Sequence, residues 1–124
     1  MAKQSSDKGQ FKLLESNNSL EFAAQTCVQI NKDLQGVSLA TVSLTNIKEP
    51  TILEDLMHQL IPILNELVAQ SKLSQFIYLV DLNEVDFKKS LQHENFSDLA
   101  YLVIKREAQK VYLKNKFRQS DVIE

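Results

Sequence analysis

Glycine and proline are nearly missing from this chain, with two of each in 124 residues. Sandwiches and barrels join short strands through many Gly- and Pro-rich turns. The shortage argues against them and for long uninterrupted elements. Tryptophan is absent and cysteine occurs once, as Cys27. A lone cysteine forms no internal disulfide. A chain of this length needs none, because it buries roughly two-thirds of its unfolded surface. With glycine only at positions 9 and 36, neither a GxGxxG turn nor a phosphate loop can be assembled, and no GxSxG elbow occurs. His58, His93 and Cys27 are far apart in the sequence. A metal site takes three or four convergent ligands, so no metal or cofactor is expected. No run approaches the roughly 18 consecutive apolar residues of a membrane span. The opening MAKQSSDKGQ lacks the apolar stretch of a secretory leader, and the expected setting is cytoplasmic. Asn17-Asn18-Ser19 and Asn95-Phe96-Ser97 then read as chance matches to the glycosylation pattern.

What the chain does have is segregated charge. The formal net charge is −2, which predicts no general attraction to nucleic acid or membranes. Residues 13–104 carry five Lys against twelve Asp and Glu, a net of −7. Residues 105–118 carry six Lys and Arg against Glu107 alone, a net of +5.

Hydrophobic spacing predicts helices. Residues 1–10 are polar and read as a disordered tail ahead of a single domain over 11–124. Phe11, Leu13 and Leu14 could dock on a core. A first helix is expected over 19–35, opened by Asn18 with Glu21 and closed by Gly36 in a left-handed conformation. Its stripe of Leu20, Ala23, Ala24, Cys27, Asn31 and Leu34 is thin, flanked by Val28 and Ile30. It therefore predicts a helix laid on a core built elsewhere. The core helix is expected over 51–72, opened by Thr51 and Glu54, with a wide stripe from Leu53 to Val68. Pro62 interrupts it on the side opposite that stripe, where it can bend the helix without entering the core. Residues 74–80 fit either a helix or a buried strand. A capping pair of Asp81 and Glu84 predicts a helix over 82–92 with Phe87 and Leu91 inward, and a last helix follows over 96–117. Residues 37–48 are the ambiguous stretch. Val37, Thr41, Val42 and Thr45 favour a short β element, while Val37, Ala40, Leu44 and Ile47 fit a helical stripe. A lone strand leaves backbone donors unpaired, which tilts the reading toward helix or irregular coil.

Arg106, Lys110 and Lys114 recur at four-residue steps and project from one side of the last helix. That side overlaps the apolar stripe, so the cations are expected at a packing seam. They either pair with the body's own carboxylates, of which Asp81, Glu84 and Asp86 are nearest in sequence, or present a docking row to an acidic partner. Glu107 falls on the inner face, where a buried carboxylate needs a partner and Arg106, Lys110 or a tyrosine hydroxyl could serve. As a perturbed carboxylate it is also the one candidate catalytic acid, beside the pair Asp81 and Glu84. Capping already accounts for that pair. Cys27 on an apolar stripe reads as a small buried hydrophobe. Tyr101 and Tyr112 interleave with the basic helix, as in some nucleic-acid binders.

Two blocks carry a family resemblance. One is Tyr78-Leu79-Val80-Asp81-Leu82-Asn83-Glu84 with Phe87 and Leu91. The other is Leu102-Val103-Ile104-Lys105-Arg106-Glu107 with Lys110. Through them residues 51–118 resemble small uncharacterised all-helical bacterial proteins. The resemblance implies a helical fold and a cytoplasmic setting, and it brings no activity, cofactor or site residue.

The expectation is an all-α bundle of four or five helices. Its function would be that of a non-enzymatic protein-protein interaction or assembly module, with a homodimer as one form. The alternatives are nucleic-acid binding through 105–118, or an enzyme built on Glu107 or on Asp81 with Glu84.

Overall fold

The structure is a computed structural model and describes residues 19–44, 51–92 and 95–123. Five α-helices are found there and no strand: α1 (Ser19–Leu34), α2 (Thr51–Ala69), α3 (Leu73–Val80), α4 (Glu84–Ser90) and α5 (Ser97–Ile123). The fold is an all-α bundle. The expectations for the tail 1–10, for Phe11, Leu13 and Leu14, for Asn18, for 45–48, for His93 and for the Thr51 side chain fall outside the described residues. No described helix is long and apolar enough to cross a membrane.

The long helix α5 is central, and every other helix packs on it. From α2 the core takes Ile52, Leu56, Leu60, Leu64 and Leu67, and from α5 it takes Leu99, Val103, Ile104 and Val111. The α2 set steps by four and three residues, and in α5 Leu99 and Val103, and Ile104, Ala108 and Val111, do the same, as one helical face requires. Pro62 is exposed and α2 runs on through it, so the missing N–H costs the core nothing. The stripe of α2 ends sooner than its pattern, and Val68 stands 48 % exposed. Residues 73–80 are helical, with Leu73, Phe76, Ile77 and Val80 buried.

Three expectations about α1 are corrected. It is not a cover on a finished core: Ala23, Ile30 and Leu34 are fully buried, and its largest contact is with α5. Its buried face is also rotated from the apolar stripe. Leu20 and Ala24 are exposed, while Thr26, Gln29 and Asp33 are buried. Thr26 is satisfied by donating to the Phe22 carbonyl at 2.9 Å; Gln29 and Asp33 turn inward to meet α5. Finally, Gly36 does not close the helix in a left-handed conformation. It lies close under Leu79 instead: a Cβ there would be 2.7 Å from the Leu79 Cδ1, and that side chain would have to turn aside.

The left-handed positions belong instead to Ser71 (φ 59°) and Asp81 (φ 67°). Each ends a helix with a bond across six residues, Lys72 N to Leu67 O at 2.8 Å and Leu82 N to Ile77 O at 3.3 Å. Asp81 therefore closes α3 and does not open α4. The N-cap of α4 is Asn83, whose side chain accepts from Val85 N at 2.8 Å and Asp86 N at 3.2 Å. That start and the end at Ser90 make α4 shorter than the 82–92 pattern and leave Leu91 45 % exposed, not inward.

Residues 37–44 are irregular coil without a strand. Two side-chain amides take the place of strand neighbours. Asn31 donates to Val42 O at 2.9 Å and accepts from Val42 N at 2.8 Å. Gln59 does the same for Ser43, at 2.7 Å and 2.9 Å. A side-chain amide carries both a donor and an acceptor, so each clamp satisfies both backbone polar groups of one residue. Asn31, the odd residue on an apolar stripe, is thereby accounted for.

Candidate functional site

The charge-rich centre lies where the C-terminal ends of α1 and α3 meet the middle of α5. Asp33 occupies the last turn of α1, and Glu107 and Lys110 lie one turn apart on α5. Lys110 Nζ is 2.8 Å from Asp33 Oδ2, 3.2 Å from Val80 O, 3.3 Å from Leu79 O and 2.9 Å from Glu107 Oε1. An ammonium has three N–H donors. Three of these neighbours are aligned to accept them. Glu107 is not, and as a carboxylate it would leave both oxygens buried without a hydrogen-bond partner.

Protonation resolves this conflict. Glu107 is fully buried. Burial, and after it the hydrogen bond and charge of Asp33, push its carboxyl up to about 9 despite the opposing pull of Lys110. At neutral pH it is a neutral acid that donates to Asp33. Asp33 moves the other way. Burial would raise it, but the hydrogen bonds from Glu107, Lys110 and Gln29 and the Lys110 charge outweigh that and hold it below its ordinary value. Lys110 is lowered by burial and raised by more through Asp33 and Glu107, so its net direction is up. The node thus holds one anion, one cation and one neutral acid.

The node is also a helix cap. The last carbonyls of a helix have no intrahelical partner, and its C-terminus carries partial negative charge. Lys110 donates to two such carbonyls of α3, and Arg106 Nε donates to the Asp81 carbonyl at 2.9 Å. Arg106 Nη2 also reaches Asp81 Oδ2 at 2.8 Å, and its Nη1 reaches Gln109 Oε1 at 2.7 Å. Farther along the seam, Lys114 donates to Gln29 Oε1 at 2.6 Å and Asn115 to Gln25 Oε1 at 2.9 Å.

The six residues singled out from sequence divide accordingly. Arg106 with Asp81, and Lys110 with Glu107, come together in the node. Lys114 meets an amide and not a carboxylate. Glu84 takes no part; it faces Lys88 at 3.6 Å on the exposed surface of α4. Sequence reasoning missed Asp33, Gln29 and the α3 carbonyls. A signal was present, because Gln25, Gln29 and Asp33 step by four along α1 as Arg106, Lys110 and Lys114 do along α5. Cys27 is buried, and burial followed by the charge of Asp55 pushes its thiol up to about 11, a poor nucleophile. Among the described residues no group of three or more His, Cys, Asp or Glu is placed to hold a metal ion.

A second feature lies on the outer side of α5. Tyr112 and Leu113 are 42 and 39 % exposed, with Lys116 exposed beside them; Phe117, 68 % exposed, lies on the side of Arg106 and Lys110, two turns beyond Lys110. At the other end of the helix an open groove of about 240 Å³ runs between α4 and α5, lined by Asp86, Lys89, Ser90, Asp98, Tyr101 and Leu102.

No known protein family, curated protein or solved structure matches this chain.

Proposed function

We propose that this chain is a protein-protein interaction or assembly module whose contact surface is the outer side of α5. The observation that carries the reading is the division of labour on that helix. Its inward cations are held by the body, while Tyr112 and Leu113 stand outward on a long, well-anchored element. Exposed apolar side chains grouped on a rigid helix, with polar residues among them, are the usual make-up of a protein contact. The alternatives have less support. Arg106, Lys110 and Lys114 are half of the cations in 105–118, and all three donate to protein atoms. That weakens the case for a phosphate-binding row. Glu107 has no surface that a substrate could reach. The lone buried thiol of Cys27 suits the reducing, cytoplasmic setting that goes with this reading.

The test is a photo-activated cross-linker placed at Leu113 in the full chain and activated in cells. Discrete protein adducts are expected at Leu113 and not at Lys32, an exposed position on α1. Equal labelling at the two positions, or none at Leu113, would remove the basis for the reading.

A further inference from the structure

Along the outer side of α5, the residues Asp98, Leu102, Lys105, Gln109, Tyr112 and Lys116 recur at alternating steps of four and three. That is the spacing of a helix–helix seam. None of the six is buried. The acid stands at the start of the row and a cation at its end, with apolar residues between each end and the centre. Asp98 and Lys116 are about 27 Å apart along the axis at 1.5 Å per residue.

We infer that this row binds the same row of a second copy of the chain, in an antiparallel two-fold pair. The inference rests on the interaction reading above and names its partner. A two-fold interface uses one patch twice, so a contact from i to j is repeated from j to i. Run antiparallel about the level of residue 107, the row is its own complement. Asp98 comes opposite the second copy's Lys116, Leu102 opposite its Tyr112, and Lys105 opposite its Gln109, and each contact occurs twice. Leu113 falls beside the second copy's Tyr101 in the same register. A parallel pair would instead set Asp98, Lys105 and Lys116 against their own kind.

The groove between α4 and α5 fits this arrangement. It lies at the Asp98 end, where the second copy's Lys116 arrives, and Asp86 adds a second carboxylate to its lining. Lys89 lines the same groove. Lys105 is the nearest cation to the two-fold axis, and this register places an amide opposite it.

Sedimentation and light scattering on the full chain, from micromolar to millimolar concentration, test the inference with a charge swap. The unaltered chain is expected to dimerise. Lys116→Glu and Asp98→Lys should each weaken self-association roughly tenfold, because each creates two like-charge ends. Mixed in equal amounts, the two variants should recover a heterodimer, in which both ends are again complementary. Circular dichroism confirms that each variant is folded. Independently of charge, oxidation of the Leu102→Cys/Tyr112→Cys variant in a Cys27→Ser background should give a dimer linked from position 102 to position 112. A chain that stays monomeric at millimolar concentration, a mixture no better associated than its parts, or a dimer linked from 102 to 102 would each overturn the inference. If the chain is monomeric yet Leu113 captures a different protein, the second-copy inference falls and the interaction reading stands. If neither a dimer nor an adduct forms, both fall.

Discussion

Helix α5 meets α2 through apolar side chains, whereas the rim of its contact with α1 is built from amides and charges. The two contacts contribute different things. Leu56, Leu60 and Leu64 of α2 join Val103 and Ile104 of α5 in one buried cluster. Burial of this kind is non-directional and scales with area, so it supplies stability but tolerates sliding. The α1 rim has little tolerance. Gln25 with Asn115, Gln29 with Lys114 and Asp33 with Lys110 form three rungs of one antiparallel ladder. A shift of one turn would leave buried polar groups unpaired, at about 1–3 kcal/mol for each neutral group and more for a charged one. The apolar contact stabilises the fold, and the polar rim selects one register of α1 on α5.

Substitutions can break or sharpen this contrast, beginning with the largest expected effect. Lys110→Met keeps the aliphatic stem and removes the ammonium. It leaves the Leu79 and Val80 carbonyls without their donor and the buried Asp33 without its counter-charge, and a loss of about 3–5 kcal/mol is expected in urea unfolding. A loss below about 1 kcal/mol would mean that the node adds little beyond packing. Leu60→Ala, in the apolar contact, is expected to cost about 2–5 kcal/mol by opening a cavity. If the contrast holds, its amide-exchange pattern stays native, whereas Lys110→Met loses protection selectively at the end of α3.

Glu107→Gln separates the two contacts by pH. The folded-state value of Glu107 is raised, from 4.5 to about 9. Its contribution is therefore fully present below 4.5 and drains away as pH rises toward 9. Gln cannot titrate, yet its amide can still donate to Asp33. The two proteins should match in stability below about pH 4.5. The variant should then gain on the parent with rising pH, by at most about 1.4 kcal/mol per pH unit. Parallel pH profiles would show that Glu107 is ionised in the folded protein. Asp33 acts in the opposite sense, because its value is lowered. Its contribution is present above its unfolded value of 3.8 and is lost in stronger acid, in both proteins.

Ser71→Gly is the smallest change. Ser71 sits in the left-handed region and belongs to neither contact. Glycine there should raise the unfolding midpoint by an amount equivalent to about 0.5 kcal/mol. A decrease would show that the Ser71 side chain has a role of its own.

The same contrast explains what could be read from the chain. Helices α2 and α5 were legible because their apolar residues recur at helical spacing, and burial follows from that pattern. The partners of α1 were not legible. Asn31 looked like a flaw in a stripe until Val42 was seen to need both of its amide atoms. Gly36 looked like a helix terminator until Leu79 was found beside it. Asp81 and Glu84 looked like one capping pair, but they belong to different helix ends, because a carboxylate at that spacing suits either role.

The amino-acid order by itself determined the helical class, the apolar faces and the gathering of cations on the last helix. All of these depend on residues within a few positions of one another. Only the tertiary structure decided what each cation meets. Asp33 and Lys110 are 77 residues apart. Whether a carboxylate at that distance becomes a partner depends on how two helix ends pack against a third, and no local spacing records that. The protonation of Glu107 was decided in the same way, by burial and by the nearness of Asp33.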